Sequence, residues 1–299
     1  MSYNRLKQIY LGIIPAYPLG YVLVHGFRGD QIWAKLWTDR SSIEPGEHLK
    51  ELVEQEIDKL ENIKKAVYRV ALTDQTEPKV YGGLYLTSGS ELQFPIRANL
   101  EDVEKARRLG ANLEIDMGFS KYRRKIEVNS AAGDEIIARL MLSEAAKRFL
   151  VCRQIQIANS GEFFCIPILA WFGISTTGYL VLKAVSMAAG AWIGALSAIG
   201  TTIGAFNLFM RNFEAHKVEK ADNMAINRGE EYLTGAIDYF ESTLKLNRMI
   251  RRVLGEEGER TITKRGDSLV DPVALTKRLR NARKLWRKLK EEQIEDDAE

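Results

Sequence analysis

The residues of this chain whose types could do chemistry are few and scattered. The histidines His25, His48 and His216 lie far apart, with no H-E-x-x-H and no neighbouring ligand spacing, so the sequence offers no metal site. Cys152 and Cys165 are about 13 residues apart, roughly 20 Å on one helix, which is too far for a bridge and reads as two packing residues. Arg265-Gly266-Asp267 matches an adhesion tripeptide, but it sits in TIT-KRGD-SLV, which reads as a small hairpin with Gly266 at the turn. No set of residues spells nucleophile and base, so no catalytic residue, cofactor or metal is expected.

Two other residue classes do form patterns. Gly190 and Gly194 make one G-x-x-x-G, and Gly200 and Gly204 make another. Continued at four-residue spacing through Ala198 and Thr202, the first gives a nearly side-chain-free groove, so Gly190, Gly194, Ala198, Gly200 and Gly204 are expected to pack against another helix. The second pattern is basic. With Asp271 as cap and Pro272 in its first turn, a helix is expected whose Leu275, Leu279, Ala282, Trp286 and Leu289 share one face. Lys277, Arg278, Arg280, Arg283, Lys284, Arg287, Lys288 and Lys290 cover the rest, with no acid among them. Trp286 beside these cations suits an anionic lipid surface, and RNA or an acidic partner fits equally. The plain alternative is a helix docked on its own domain, its charge offset by the tail EEQIEDDAE.

The elements that must position these residues are dominated by one apolar stretch. Between Phe163 and Met210 the only charged side chain is Lys183, although 28% of the chain is charged. As one helix the stretch would be about 72 Å long, more than twice the roughly 30 Å core of a bilayer, so it must fold back. Residues 163–182 and 191–210 each supply one uncharged span, leaving 183–190 for a turn. A central hairpin of a soluble bundle is the competing reading, and the mean hydropathy of −0.21 is that of a soluble protein, but long charged flanks lower that average. The net charge of +3 is too mild to mark a nucleic-acid binder.

Residues 8–27 form a further run without Asp, Glu, Lys or Arg, kinked by Pro15 and Pro18. It reads as an uncleaved anchor rather than a secretory signal, because no small-residue cleavage site follows it, and its basic start without acids is also compatible with a targeting segment. Between the apolar segments, 44–65 is an amphipathic helix starting near Pro45. AVYRVAL, KVYGGLYL, the segment before Pro95, NLEIDMGF and KIEVN are strands, 101–109 is a short helix ending at Gly110, and Ser143 caps a helix leading to the membrane. After Met210 the helix is expected to continue out of the bilayer, followed by a second helix over 232–254 that Gly255 and Gly258 end. The fold class is therefore a membrane α+β protein. An N-terminal apolar anchor or span (1–27) precedes a small α+β extramembrane domain (28–160), a transmembrane helical hairpin (161–212) and a helical C-terminal region with basic helix and acidic tail (213–299).

With the hairpin in place, the preceding SEAAKRFLVCRQIQIANS and the following GAIDYFESTLKLNRMIRRVLGEEGERTITKRGDSLVDP, the chain resembles the transmembrane protein 177 family. Leu142 to Phe149, Tyr239 to Leu244, Leu246 to Leu254, Gly255 to Glu259 and the arginine-rich helix with Trp286 carry the resemblance, which extends over nearly the whole chain without a signature motif. It implies a multi-pass protein of the mitochondrial inner membrane that is not an enzyme. Its partners would be the lipid bilayer, newly made cytochrome c oxidase subunit 2 and the dedicated chaperone that receives it, with anionic lipid at the basic helix and no nucleic acid. The family supplies no catalytic residues to carry over. The connection between the hairpin helices is shorter here than in the mammalian pattern, and no paired-cysteine copper site is present. Readings from other classes are a membrane-bound enzyme or transporter with its site in the α+β domain, against which the absence of an acid in the spans speaks, and a membrane-tethered RNA- or ribosome-binding protein that uses the basic helix.

Overall fold

A computed structural model describes residues 3–27, 41, 43–60, 67–73, 75–110 and 131–296. The strands expected at NLEIDMGF and KIEVN lie outside the described residues. The described residues are mostly helical, with one three-stranded sheet.

The two dominant helices are α7 (Gly161–Ala189) and α8 (Ala191–Ile226), packed antiparallel as a hairpin. The expected turn over 183–190 is corrected to Gly190 alone. Nothing between Lys183 and Ala189 disfavours a helix, and Gly190 supplies the φ of +90° that reverses the chain. Lys183 therefore lies on α7, exposed, about two turns before the tip. Both helices are long and apolar enough to cross a bilayer, and only 28% of the most apolar window of each is buried. A core hairpin of a soluble bundle would bury those windows. Instead Leu169, Leu180, Met187, Trp192, Leu196 and Leu208 point outward, each more than half exposed.

The N-terminal run is two short helices, α1 (Tyr3–Ile13) and α2 (Ala16–His25), broken at Ile14-Pro15. Lys7 lies over Tyr179, Tyr10 reaches Ser175, Ile14 meets Trp171 and Tyr21 meets Phe163, so the segment runs antiparallel along α7 for its whole length.

The other described elements gather on one core. Helix α3 (Glu47–Asp58) starts after Gly46, two residues later than Pro45 would place it. Strands β1 (Tyr68–Thr73), β2 (Lys79–Gly82) and β3 (Ser90–Pro95) form a mixed sheet in the order β1-β3-β2, with β1 parallel and β2 antiparallel to a fully buried β3. The run KVYGGLYL leaves the sheet at Gly82, whose φ of +76° turns the chain. Short helices α4 (Val103–Gly110) and α5 (Ala131–Leu140) lead to α6 (Glu144–Asn159), where Ser143 Oγ accepts from the Ala146 amide at 3.2 Å as the cap. Helix α9 (Glu230–Leu254) ends at Gly255, φ +62°, and a single turn, α10 (Glu256–Thr261), leads to the 262–268 hairpin. Helix α11 (Leu275–Asp296) closes the fold against α9. Leu49, Leu72, Phe94, Phe149, Leu150, Tyr239, Phe240, Leu275 and Ala282 belong to the same core cluster, so residues before and after the hairpin pack together.

Candidate functional site

The glycine ladder divides between two faces of α8. Gly194, Ala198 and Thr202 are buried, and a Cβ on Gly194 would collide with the Ser186 backbone of α7. Gly178 makes the matching close approach from α7, because Thr202 Oγ1 and Tyr10 OH occupy the space its side chain would need. Tyr10 ties all three helices: its hydroxyl donates to Ser175 O at 2.9 Å and shares a second 2.9 Å hydrogen bond with Thr202 Oγ1. The inner stripe is thus consumed by the hairpin and α1. Gly200 and Gly204 are exposed, with nothing within 4 Å of an added Cβ, as is Gly190 at the turn. The single five-residue groove expected from the sequence is therefore corrected to an internal seam of Gly194 and Ala198 and a separate outer face of Gly200 and Gly204. Each residue adds about 100° around a helix, so positions two apart, such as Ala198 and Gly200, cannot share a face.

The basic helix is docked, not free. Leu275, Leu279 and Ala282 are buried against the core, while Trp286 and Leu289 remain 37% and 40% exposed. Helix α11 begins at Leu275, so the cap expected of Asp271 is corrected to Asp267. Asp267 Oδ1 accepts from the Thr276 amide at 2.7 Å and Oδ2 from its hydroxyl at 3.0 Å. The Arg265-Gly266-Asp267 carboxylate is thereby engaged within the fold. Arg278 is 4% exposed and cannot meet a surface. Lys277 pairs with Glu219, Arg283 with Glu241 and Lys290 with Glu230. Arg280, Lys284, Arg287 and Lys288 are exposed on one face, opposite the buried stripe, without a carboxylate partner among the described residues.

Arg278 belongs to a buried ion cluster that no sequence spacing announces. Its Nε and Nη2 donate to Asp222 at 2.6 and 2.9 Å, and Nη1 donates to Glu77 at 3.2 Å. Arg153 lies 2.8 Å from Asp222 and 3.2 Å from Glu77. Two guanidinium groups from α11 and α6 thus balance two carboxylates from α8 and the β1–β2 loop. Burial alone would raise the Glu77 pKa, but Arg278 and Arg153 overcome it and hold the carboxyl below its ordinary value. Burial would likewise lower Arg278, and Asp222 with Glu77 more than offsets that. Asp271 takes the other direction: burial, then repulsion from Glu77, pushes it up to about 7. Burial also drives the Cys152 thiol up to about 12, so it stays protonated.

The cluster floors a cleft of about 370 Å³, where His25 at the end of α2, Lys79 on β2, Gln154 on α6, Glu214 and Lys217 on α8 and Asp271 before α11 converge. It sits where the long helices leave their apolar windows. Among the described residues, no group of three or more His, Cys, Asp or Glu side chains could hold a metal ion.

The sequence profile of Transmembrane protein 177 matches residues 4–297 of this chain. The chain belongs to that family. A human relative, also called Transmembrane protein 177, is 26% identical over 163 residues, which cover 48% of this chain and 48% of the relative. The alignment thus spans about half the length of the curated relative it matches. No solved structure matches.

The profile for the Transmembrane protein 177 family spans the hairpin, the ion cluster and the basic helix alike. Glu77, Arg153 and Asp222 were invisible to motif reasoning because the pairing joins residues far apart in the chain. The available signal was local and weak: Arg153 is the one charged residue in LVCRQIQIA, which also carries Gln154 and Gln156.

Proposed function

We propose that this protein spans the mitochondrial inner membrane and acts without catalysis as an assembly factor, stabilising newly made cytochrome c oxidase subunit 2 and its dedicated chaperone. Family membership supports the reading, and the outer face of α8 carries it. Gly200 and Gly204 give that face a smooth strip flanked by Leu196, Ile203 and Leu208, and among the described residues no helix covers it. In lipid, such a face lets a partner helix approach closely, with packing as the driving force. A newly inserted helix that lacks its final partners presents faces of the same kind. Replacing both Gly200 and Gly204 with Leu adds side chains into open space, so folding is preserved while close approach is blocked. Co-purification of subunit 2 and its chaperone should then fall at unchanged levels of this protein; undiminished recovery would refute the role of this face.

A second reading draws on α11. Glu230, which holds Lys290, follows the end of α8, about 24 Å beyond Met210 at roughly 1.5 Å per residue. That is about three screening lengths of roughly 8 Å from the exit of the spans, so the lipid of its own bilayer does not hold the far end of the basic tract. Arg280, Lys284, Arg287 and Lys288 instead face the aqueous phase, where a polyanion such as RNA could meet them. Crosslinking to RNA that survives low salt, fades steeply with added salt and vanishes when Lys284, Arg287 and Lys288 are reversed to Glu would support this second reading.

A further inference from the structure

We infer that the cleft at the junction of the spans and the core holds the headgroup of a zwitterionic phospholipid, with its phosphate on the Gln154 amide and Arg153 and its ammonium at Glu214. The inference rests on the membrane-spanning reading above and deepens it.

The first observation is an unmet donor. Gln154 is 1% exposed and its Nε2 has no hydrogen-bond partner, although it lines the cleft. Its neighbour Arg153, 3% exposed, also lines the cleft and is anchored by Asp222 at 2.8 Å and Glu77 at 3.2 Å. A buried donor left unsatisfied is costly, so the site suits a ligand that brings acceptor oxygens. The second observation is the mixture of charges. Lys79, Arg153, Lys217 and Arg278 line the cleft together with Glu77, Glu214 and Asp271. A simple anion would gain from the first set and be repelled by the second. Glu77 is held by the two arginines, whereas among the described residues Glu214 pairs with Lys217 alone, at 3.6 Å, and stays 42% exposed. A group carrying both phosphate and ammonium matches both signs.

Size and place agree. A cleft of about 370 Å³ is in the usual range for small-ligand sites, roughly 300–1,000 Å³. Glu214, Lys217 and Val218 lie on α8 about 6–12 Å past Met210, and His25 ends α2, so the cleft opens at headgroup depth when the apolar windows lie in hydrocarbon. Helix α2 packs on α7 and β2. It also meets α8 through the ring of Tyr17 on Phe206.

The test uses the full chain purified in mild detergent and native mass spectrometry against an equimolar mixture of phosphatidylethanolamine, phosphatidylcholine and phosphatidylglycerol. The wild type should retain the two zwitterionic lipids about tenfold over phosphatidylglycerol, the ratio that one lost charged contact would erase. Glu214→Gln should bring that ratio close to one, and Gln154→Leu should reduce retention of all three. Equal retention of phosphatidylglycerol by the wild type, or an unchanged ratio in Glu214→Gln, would overturn the inference. Displacement by water-soluble glycerophosphoethanolamine at equal concentration would overturn the lipid assignment in favour of a soluble ligand. If Gln154→Leu fails to fold, Glu214→Gln at the exposed lip decides. Failure here is distinct from failure of the spanning reading, which alkaline extraction tests on its own.

Discussion

Replacing Arg278 with Met tests how the basic helix is held. Met keeps much of the volume and removes the charge. The wild-type cluster is balanced, with Arg153 and Arg278 against Glu77 and Asp222, and its side chains are 3%, 3%, 26% and 7% exposed. Arg278→Met deletes two contacts to Asp222 and one to Glu77, along with the stacking of the guanidinium over Phe240 at 4.5 Å. It leaves one surplus negative charge in a buried site. Breaking a buried pair in this way costs about 3–5 kcal/mol, and the partly exposed Glu77 places the expectation near the lower end. Urea-dependent pulse proteolysis of the detergent-solubilised protein measures the change. The discriminating variant is the double change Arg278→Met with Asp222→Leu, which restores balance between Arg153 and Glu77 and should be less destabilised than Arg278→Met alone. A single-variant loss below about 1 kcal/mol, or a double variant at the sum of the two singles, would refute the argument.

Two further outcomes follow from the same geometry. Asp271 has a folded-state pKa of about 7 against an ordinary 3.8, so its contribution to stability is complete below pH 3.8 and is lost as pH rises to about 7. Asp271→Asn should therefore gain stability relative to wild type steadily from pH 4 to 7 and level off above it; a gain independent of pH would contradict the assignment. Gly194→Leu would drive a side chain into the Ser186 backbone and should destabilise the hairpin by at least about 1–3 kcal/mol in a thermal melt, whereas Gly204→Leu should leave the melt unchanged. Equal effects at the two glycines would dissolve the distinction between the inner seam and the outer face.

How far the sequence alone reached depended on whether the signal was local. The hairpin was legible because 20-residue uncharged runs have few other uses, and the Ser143 cap and the Gly255 and Gly266 turns because glycine and serine report backbone conformation directly. The hairpin turn was misplaced because alanine-rich MAA continues a helix as readily as it leaves one, and only the positive φ of Gly190 decides. Asp271-Pro272 looked like a helix start because the cap preference is statistical, whereas Asp267 reaches the Thr276 amide across the preceding loop. The glycine ladder could be counted but not assigned to faces until Tyr10 and Ser186 showed which side of α8 was taken. Arg278 looked like one surface cation among many, since its burial depends on Asp222 and Glu77, distant in sequence.

The account depends most on α7 and α8 residing in lipid, because every outward-facing apolar side chain from Leu169 to Leu208 is otherwise exposed to water. Extraction of membranes at alkaline pH with carbonate, followed by sedimentation, measures this directly. The protein is predicted to remain in the membrane pellet with integral markers; its release into the supernatant with peripheral proteins would contradict the account.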